Sequence, residues 1–294
     1  YQVRDGAANL DVSLSYHASG IKVSEVASWV GLGWTLNAGG AITRTVKGAP
    51  DEGAKTIGGD GTIEGYFVDS GLLHMPPYIG DEPGQPANSN GFWNKISSIN
   101  GGSSDSEPDL FFFSCNGISG KFVFDERKTP RLLTEGNYKI NFNSSGNNFE
   151  SWIITDPSGV KYLFGEGTAI EKTKPNSIIS GYSNNSNVPS SWYITKIIYP
   201  NNKDTIYFSY TGENNYGYYD LGPESKTKWG YEEVCSAITE RDLIKTNIEG
   251  LRLTTIQTRN FRIDFIADTA REDLIASLGQ TTISNGGVNT VAKR

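Results

Sequence analysis

Cysteine, histidine and methionine are nearly missing from these 294 residues, with two, two and one respectively. Two cysteines, Cys115 and Cys235, are too few for a disulfide framework or a cysteine-rich zinc site. They can pair or stand as two buried thiols, and the thiols are the favoured reading. A hydrolytic triad needs His17 or His74 beside a nucleophile. Ser15 and Ser19 flank His17 at strand spacing without triad geometry, and His74 sits in a proline-rich stretch beside Met75. No Gly-x-Ser-x-Gly elbow, phosphate loop or dinucleotide fingerprint occurs. No apolar run is long enough to span a membrane as a helix. Cations are the minority, with 26 Lys and Arg against 33 Asp and Glu and a net charge of −7. That balance argues against a nucleic-acid footprint and against adsorption to anionic lipid.

What the chain does have is glycine (34 residues), asparagine and 12% aromatics. This mixture favours short strands joined by tight turns over helices. Leu10–Tyr16 alternates apolar and polar residues, as a half-buried strand does. Ala41–Gly48 alternates again. Between them Gly31, Gly33, Gly39 and Gly40 mark bulges, turns or close backbone approaches, with at least one residue expected at positive φ. Residues 50–109 are rich in Gly and Pro and form a soft internal boundary or a long loop insertion. Short strand is expected there around Ile63–Val68 and a short helical piece around Gly91–Ile99.

From residue 110 to about 275 the pattern is a series of hairpins. Leu110–Ser114 and Gly120–Phe124 flank an Asn-Gly turn. Ser151–Thr155 leads through Asp156-Pro-Ser-Gly159 into Val160–Phe164. Forty residues on, Ser191–Thr195 repeats the first of these strands and leads into Thr205–Tyr210. Leu251–Ile256 with Phe261–Ile266 is a weaker copy. A fixed period means repeat architecture, in which Trp152 and Trp192 hold equivalent, buried positions. Helix is scarce, and Tyr231–Thr246 and Ala270–Ser277 are its best remaining candidates.

The polar residues point to structure more than to chemistry. Arg44, with Trp34, is expected to lock a corner of the sheet by pairing a carbonyl or a carboxylate. The acidic stretch Asp105–Asp109 lacks calcium-loop spacing and is expected to be solvated. Trp29, Trp93 and Trp229 stand outside the repeat and are the candidates for an exposed, ligand-facing aromatic. No catalytic, cofactor or metal residue is assigned.

Leu14–Val23, followed by Val30–Arg44 with its Gly-Leu-Gly-Trp start and Ile-Thr-Arg end, resembles the N-terminal region of bacterial RHS/YD-repeat proteins, above all the large surface or secreted ones of Bacteroidetes. More distantly it is similar to the SpvB-type N-terminal domain of Tc toxin B components. Glu107–Phe111 with Gly120–Phe124, Thr155–Gly165, Trp192–Ile197 with Asp204–Tyr210, and Phe265–Thr269 with Arg271–Leu274 extend the likeness over roughly residues 10 to 275. The resemblance implies the β-rich wall of a hollow shell around a C-terminal effector. The chain lacks the long YD-repeat array, the self-cleaving aspartyl core and any toxin domain, so encapsulation is not a property of this stretch alone.

The expectation is one all-β domain, residues 1–294 of a longer protein. Consecutive antiparallel hairpins build a strongly twisted, curved sheet, a sandwich or an open shell, with at most one or two short helices. The expected role is non-catalytic: structural wall of a secreted or cell-surface protein. Its partner is then the rest of its own chain, and no cofactor is needed. A carbohydrate- or partner-binding extracellular module is the alternative, and a glycoside hydrolase-like enzyme, built on paired carboxylates, stands behind it.

Overall fold

The computed structural model describes residues 2–18, 28, 30–55, 62–68, 90–146, 148–177, 187–200, 204–212, 216–221, 225–227, 238–240, 243–270 and 286–293. The chain opens with a hairpin of β1 (Gln2–Asp5) and β2 (Ala8–Asp11). A ribbon follows, made of β3 (Ser13–Tyr16) and β4 (Trp34–Asn37). Then come β5 (Gly40–Thr45), the small pair β6 (Ala54–Lys55) and β7 (Thr62–Ile63), and α1 (Asn90–Asn100), which is the one helix among the described residues. After it lie β8 (Leu110–Cys115), β9 (Ile118–Phe124), β10 (Pro130–Leu132), β11 (Lys139–Ser145), β12 (Asn148–Thr155), β13 (Lys161–Phe164), β14 (Ile170–Ser177), β15 (Val188–Ile198) and β16 (Thr205–Gly212). The last are β17 (Tyr216–Leu221), β18 (Ser225–Thr227), β19 (Ile238–Glu240), β20 (Leu243–Glu249), β21 (Leu251–Gln257), β22 (Arg262–Ala270) and β23 (Gly286–Lys293). The protein is all-β, as its composition requires.

Turn chemistry places the hairpins. Asn116 and Gly117 both adopt positive φ, 41° and 84°, the backbone of a two-residue hairpin turn that matches strand twist. Cys115 and Ile118 are therefore opposite one another, and Phe111 faces Phe122 across the ladder. At the β12–β13 turn the Asp156 carboxylate accepts the backbone N–H of Ser158 at 2.8 Å and of Val160 at 3.0 Å, while Gly159 takes φ 87°. An Asx-type turn of this kind needs only local residues, which is why it is readable from Asp156-Pro-Ser-Gly159.

Fifteen strands join one antiparallel sheet, and it forks at β15. The first half of β15 lies between β14 and β5, with Trp192 opposite both Ile170 and Ile42. The second half lies between β13 and β16, with Ile197 opposite both Tyr162 and Ile206. On one branch β5, β8, β9 and β10 follow in order, and on the other β16, β21, β22 and β23. β13, β12 and β11 continue from the far side of β15's second half. Aromatics of β8 and β9 then meet those of β11 and β12. Phe111 and Phe122 stand 5.2 and 5.3 Å from the Trp152 ring, and Phe124 stacks on Phe149 at 5.1 Å. The layers of a sandwich are here two arms of a single sheet, and the seam between them is almost wholly aromatic.

Trp152 and Trp192 are both fully buried and touch edge to face at 5.4 Å. Their surroundings are not equivalent: Trp152 packs among Phe111, Phe122, Phe124, Phe142 and Phe149, whereas Trp192 meets Phe111 and the Arg44 guanidinium, and Trp192 Nε1 donates to the Phe149 carbonyl at 3.0 Å while Trp152 Nε1 is buried without a partner. Within the stretch 50–109, Phe67 joins the aromatic seam, buried against Phe124 and Phe149, each 4.9 Å away. α1 falls where a short helical piece is expected.

Two expectations are corrected. Tyr231–Thr246 is not a helix: Ile238–Glu240 and Leu243–Glu249 are strands, and residues 231–237 lie outside the described residues. Cross-strand pairing of β20 with β14 on one side and β17 on the other outweighs the loose helical spacing of Val234, Ile238 and Leu243. Leu10–Tyr16 is not one half-buried strand. It breaks at Val12, and all four residues of β3 are exposed. For Ala270–Ser277, Ala270 ends β22 and the remainder lies outside the described residues.

The tryptophan pair gives a direct test. Replacing either residue by Phe opens a void in the aromatic seam, but only Trp192→Phe also removes a hydrogen bond to a buried carbonyl. Urea denaturation is expected to show Trp192→Phe about 1 kcal/mol more destabilising than Trp152→Phe. Equal losses would mean that the Trp192–Phe149 bond contributes nothing.

Candidate functional site

Alternation along β5 turns Ile42 and Arg44 inward and Thr43 and Thr45 outward. Arg44 thus occupies a core position, with its side chain wholly buried. Its guanidinium lies 5.5 Å from the Trp192 ring centre and 5.9 Å from that of Phe111. Nη1 pairs with Glu52 and stands 3.6 Å from Asp109 Oδ2. Nε and Nη2 carry no hydrogen bond and are left to the aromatic faces. The expected carboxylate partner of Arg44 is therefore Glu52.

Asp109 and Asp51 complete the cluster, and both are fully buried. They are cross-linked through their main chains. Asp51 N–H donates to Asp109 Oδ2 at 3.0 Å, and Asp109 N–H donates to Asp51 Oδ1 at 2.9 Å. Asp109 Oδ1 also accepts the Lys47 N–H at 2.8 Å. Asp105 captures the Ala49 N–H at 3.0 Å. Asp105 and Asp109 are thus backbone staples holding residues 47–51, which corrects the expectation of solvation for these two, while Glu107 between them is exposed. Three carboxylates around one guanidinium cannot all stay ionised out of water. Burial, then the neighbouring Asp109 charge, pushes Asp51 up to about 8. Burial also raises Asp109, to about 6, against the opposing pull of Arg44. Asp51 is the protonated member. Its Oδ2 and Glu52 Oε1 carry no hydrogen bond.

A cleft of about 780 Å³ opens beside β5. Its floor is Gly39, Gly40 and Ala41, and its walls come from β2, the end of β4 and the β8–β9 turn, with Tyr193 and Tyr199. The β1–β2 hairpin is fixed over it by distant partners. Asp5 accepts the backbone and side-chain amides of Asn260 at 2.8 and 2.6 Å, and Asp204 accepts the Ala7 N–H at 2.9 Å. Asn9 N–H donates to the Tyr199 hydroxyl at 3.0 Å, and its carbonyl accepts that hydroxyl and the Asn116 amide. None of the four members of the ion cluster lines this cleft.

The glycine block divides between these features. Gly31 and Gly33 take φ 129° and 73°, as expected of at least one of the four. Gly39 and Gly40 do not have positive φ, but a Cβ on Gly40 would collide with Cys115 and the Ser114 carbonyl. Trp34 does not lock a corner with Arg44. It is 42% exposed on the β3–β4 ribbon, 5.1 Å from the ring of Tyr16. Leu14, Tyr16, Trp34 and Leu36 pair across that ribbon and so share one face, opposite Ser15 and Asn37. Trp93 is exposed on α1, while Trp29, Trp229, His74 and Cys235 lie outside the described residues. Cys115 is a buried free thiol whose pKa burial drives upward. His17 is exposed just past β3, its N–H donating to the Gly33 carbonyl at 2.8 Å.

Among the described residues no three His, Cys, Asp or Glu side chains converge as metal ligands. No described helix is long and apolar enough to cross a membrane. Sequence reasoning found Arg44 and missed Asp51, Glu52 and the cleft. The one available signal was the restoring of charge: a buried Arg must draw acids from other segments, and the chain does not say which.

Two outcomes are expected. An acid whose pKa rises on folding binds a proton the unfolded chain has already released, so stability falls as pH climbs from about 4 through 8. Asp51→Asn keeps the acceptor for Asp109 and removes that proton, so its melting temperature should vary less than the parent's between pH 5 and 9 and exceed it at pH 9. An unchanged pH profile would refute the assignment. Separately, Gly40→Ala should cost about 1–3 kcal/mol through overpacking. Gly39→Ala, whose Cβ meets only ordinary contacts from 3.6 Å outward, should be near neutral by the same thermal measurement.

No family model, no curated protein and no solved structure matches the chain.

Proposed function

We propose that this chain is a non-catalytic wall segment of a large secreted or cell-surface protein of the RHS/YD-repeat kind, where it helps to enclose or present a C-terminal effector. The observation that carries the reading is the use made of the stretch 39–44. The residues bearing the resemblance form the strand beside the fork of the sheet, paired on both edges, with Ile42 and Arg44 buried. Ile42 and Arg44 hold two arms of one sheet together from its interior. A wall also has to be extendable, and β10 and β23 each pair on one side only among the described residues. An antiparallel sheet grows by adding hairpins at such edges.

The test is mass spectrometry of the full-length gene product from its native secreted or surface fraction, under native and then denaturing conditions. A cleaved C-terminal polypeptide that stays bound until denaturation is the expected result. A single uncleaved chain with nothing retained would remove the enclosure reading.

A further inference from the structure

We propose that the cleft beside β5 binds a neutral saccharide. The inference does not depend on the wall reading, since a wall segment and an isolated module would present the same cleft. Its size, about 780 Å³, is within the range of pockets that bury most of a small ligand.

The chemistry of the lining sets the ligand class. Among the described residues no Lys, Arg or His lines the cleft, and Asp11 is the one carboxylate. An anionic ligand would find no cation there to pair with its charge. What faces the space instead is neutral and two-sided. The carboxamide of Asn9 and the hydroxyl of Ser114 can each donate and accept, as every hydroxyl of a sugar does, and Asn37, whose amide is given to Ser15 at 3.1 Å and to Ser13 at 3.5 Å, adds a carboxamide oxygen as acceptor. The Asn9 carboxamide and the Ser114 hydroxyl make no hydrogen bond within the protein among the described residues. Tyr193 and Tyr199, both half-buried, supply aromatic surface for the C–H faces of a sugar ring.

The main chain argues against an extended peptide, the other neutral polar ligand of this size. A peptide added as a strand needs an edge with unpaired N–H and C=O groups. At Asn9 both groups are taken by Tyr199 and Asn116. At the floor, Gly40 and Ala41 pair with β8, and Ala41 pairs with Tyr193 of β15 as well. Along these two stretches recognition falls to side chains, which suits a polyol; β4 pairs with β3 alone among the described residues, so its edge is where competition by a peptide decides. The walls are already held in place by Asp5, Asp204 and Tyr199, so little ordering remains for a ligand to impose.

The experiment is a glycan array probed with the 294-residue chain, carrying neutral, sialylated and sulfated glycans, followed by calorimetric titration of the strongest neutral oligosaccharide. Binding confined to neutral glycans is expected. The double variant Asn9→Ala/Asn37→Ala, both at exposed positions, should weaken it about tenfold or more, since it removes at least one hydrogen bond from each side. Its thermal midpoint should fall only slightly, through the exposed bonds of Asn37 to Ser13 and Ser15, and the single variant Asn9→Ala, which breaks no side-chain bond among the described residues, should match the parent's and still bind more weakly, which separates lost contacts from lost fold. Trp93→Ala, outside the cleft, should bind as the parent does. The proposal is overturned if no neutral glycan binds, if only acidic glycans bind, or if an extended peptide displaces the bound glycan with higher affinity. It is equally overturned if binding survives in the double variant and disappears in Trp93→Ala.

Discussion

Arg44 stands at an inward position of β5, where water cannot reach its guanidinium, and a cation so placed has to be neutralised by acids brought to it from elsewhere. Glu52 and Asp109 supply the charge, and Asp51 enters beside them in its neutral form. Bringing these acids inward draws residues 47–52 against the sheet, where their backbone N–H groups would be stranded without acceptors. Asp109 accepts those of Lys47 and Asp51, and Asp105, outside the ion cluster, accepts that of Ala49. One buried charge therefore dictates the path of a loop, and the loop's return brings Phe67 to the aromatic seam, its N–H bonded to the Asp51 carbonyl. Removing Arg44 alone would leave buried acids without a counter-charge, a loss of about 3–5 kcal/mol in comparable settings.

The seam and the fork answer to the same geometry. β15 is long enough to serve two pairs of neighbours in succession, β14 and β5 along its first half and β13 and β16 along its second. Where β13 gives way to β14 along its flank, Gly165 and Ala169 bracket Tyr193, with Gly165 N–H donating to the Tyr193 carbonyl and Tyr193 N–H to the Ala169 carbonyl. The intervening residues bulge out without leaving a gap in the ladder's hydrogen bonding. A sheet bent in this manner can fold its aromatic faces upon each other while staying continuous.

How much of this could be read beforehand depends on range. Features governed by neighbours in sequence were legible: the Asn116-Gly117 and Asp156–Gly159 turns, the β8–β9 and β12–β13 hairpins, the left-handed glycines before Trp34, and the all-β character. Trp152 and Trp192 were legible as buried, because a repeated apolar position on a strand has few other uses. Their contact with each other was not, since it arises from the fork and not from the repeat. Trp34 was misplaced because its pattern is that of any half-buried strand, and only the pairing of β3 with β4 shows that the ribbon carries its apolar face outward. The cleft was invisible for a comparable reason. Its walls come from segments as far apart as Asn9 and Tyr199, and nothing local marks them as neighbours.

The bond between Asp5 and Asn260 spans 255 residues, and the one between Asn9 and Tyr199 spans 190. On a ribosome, the first hairpin emerges long before either partner exists, and β5 waits for β15 in the same way. The molecule cannot settle in the order in which it is made. Closure of such distant loops before any contact rewards it belongs to slow folding. For as long as that wait lasts, the aromatic faces of β8 and β9 are uncovered, and the chain depends on being held apart from its copies until its own second half arrives.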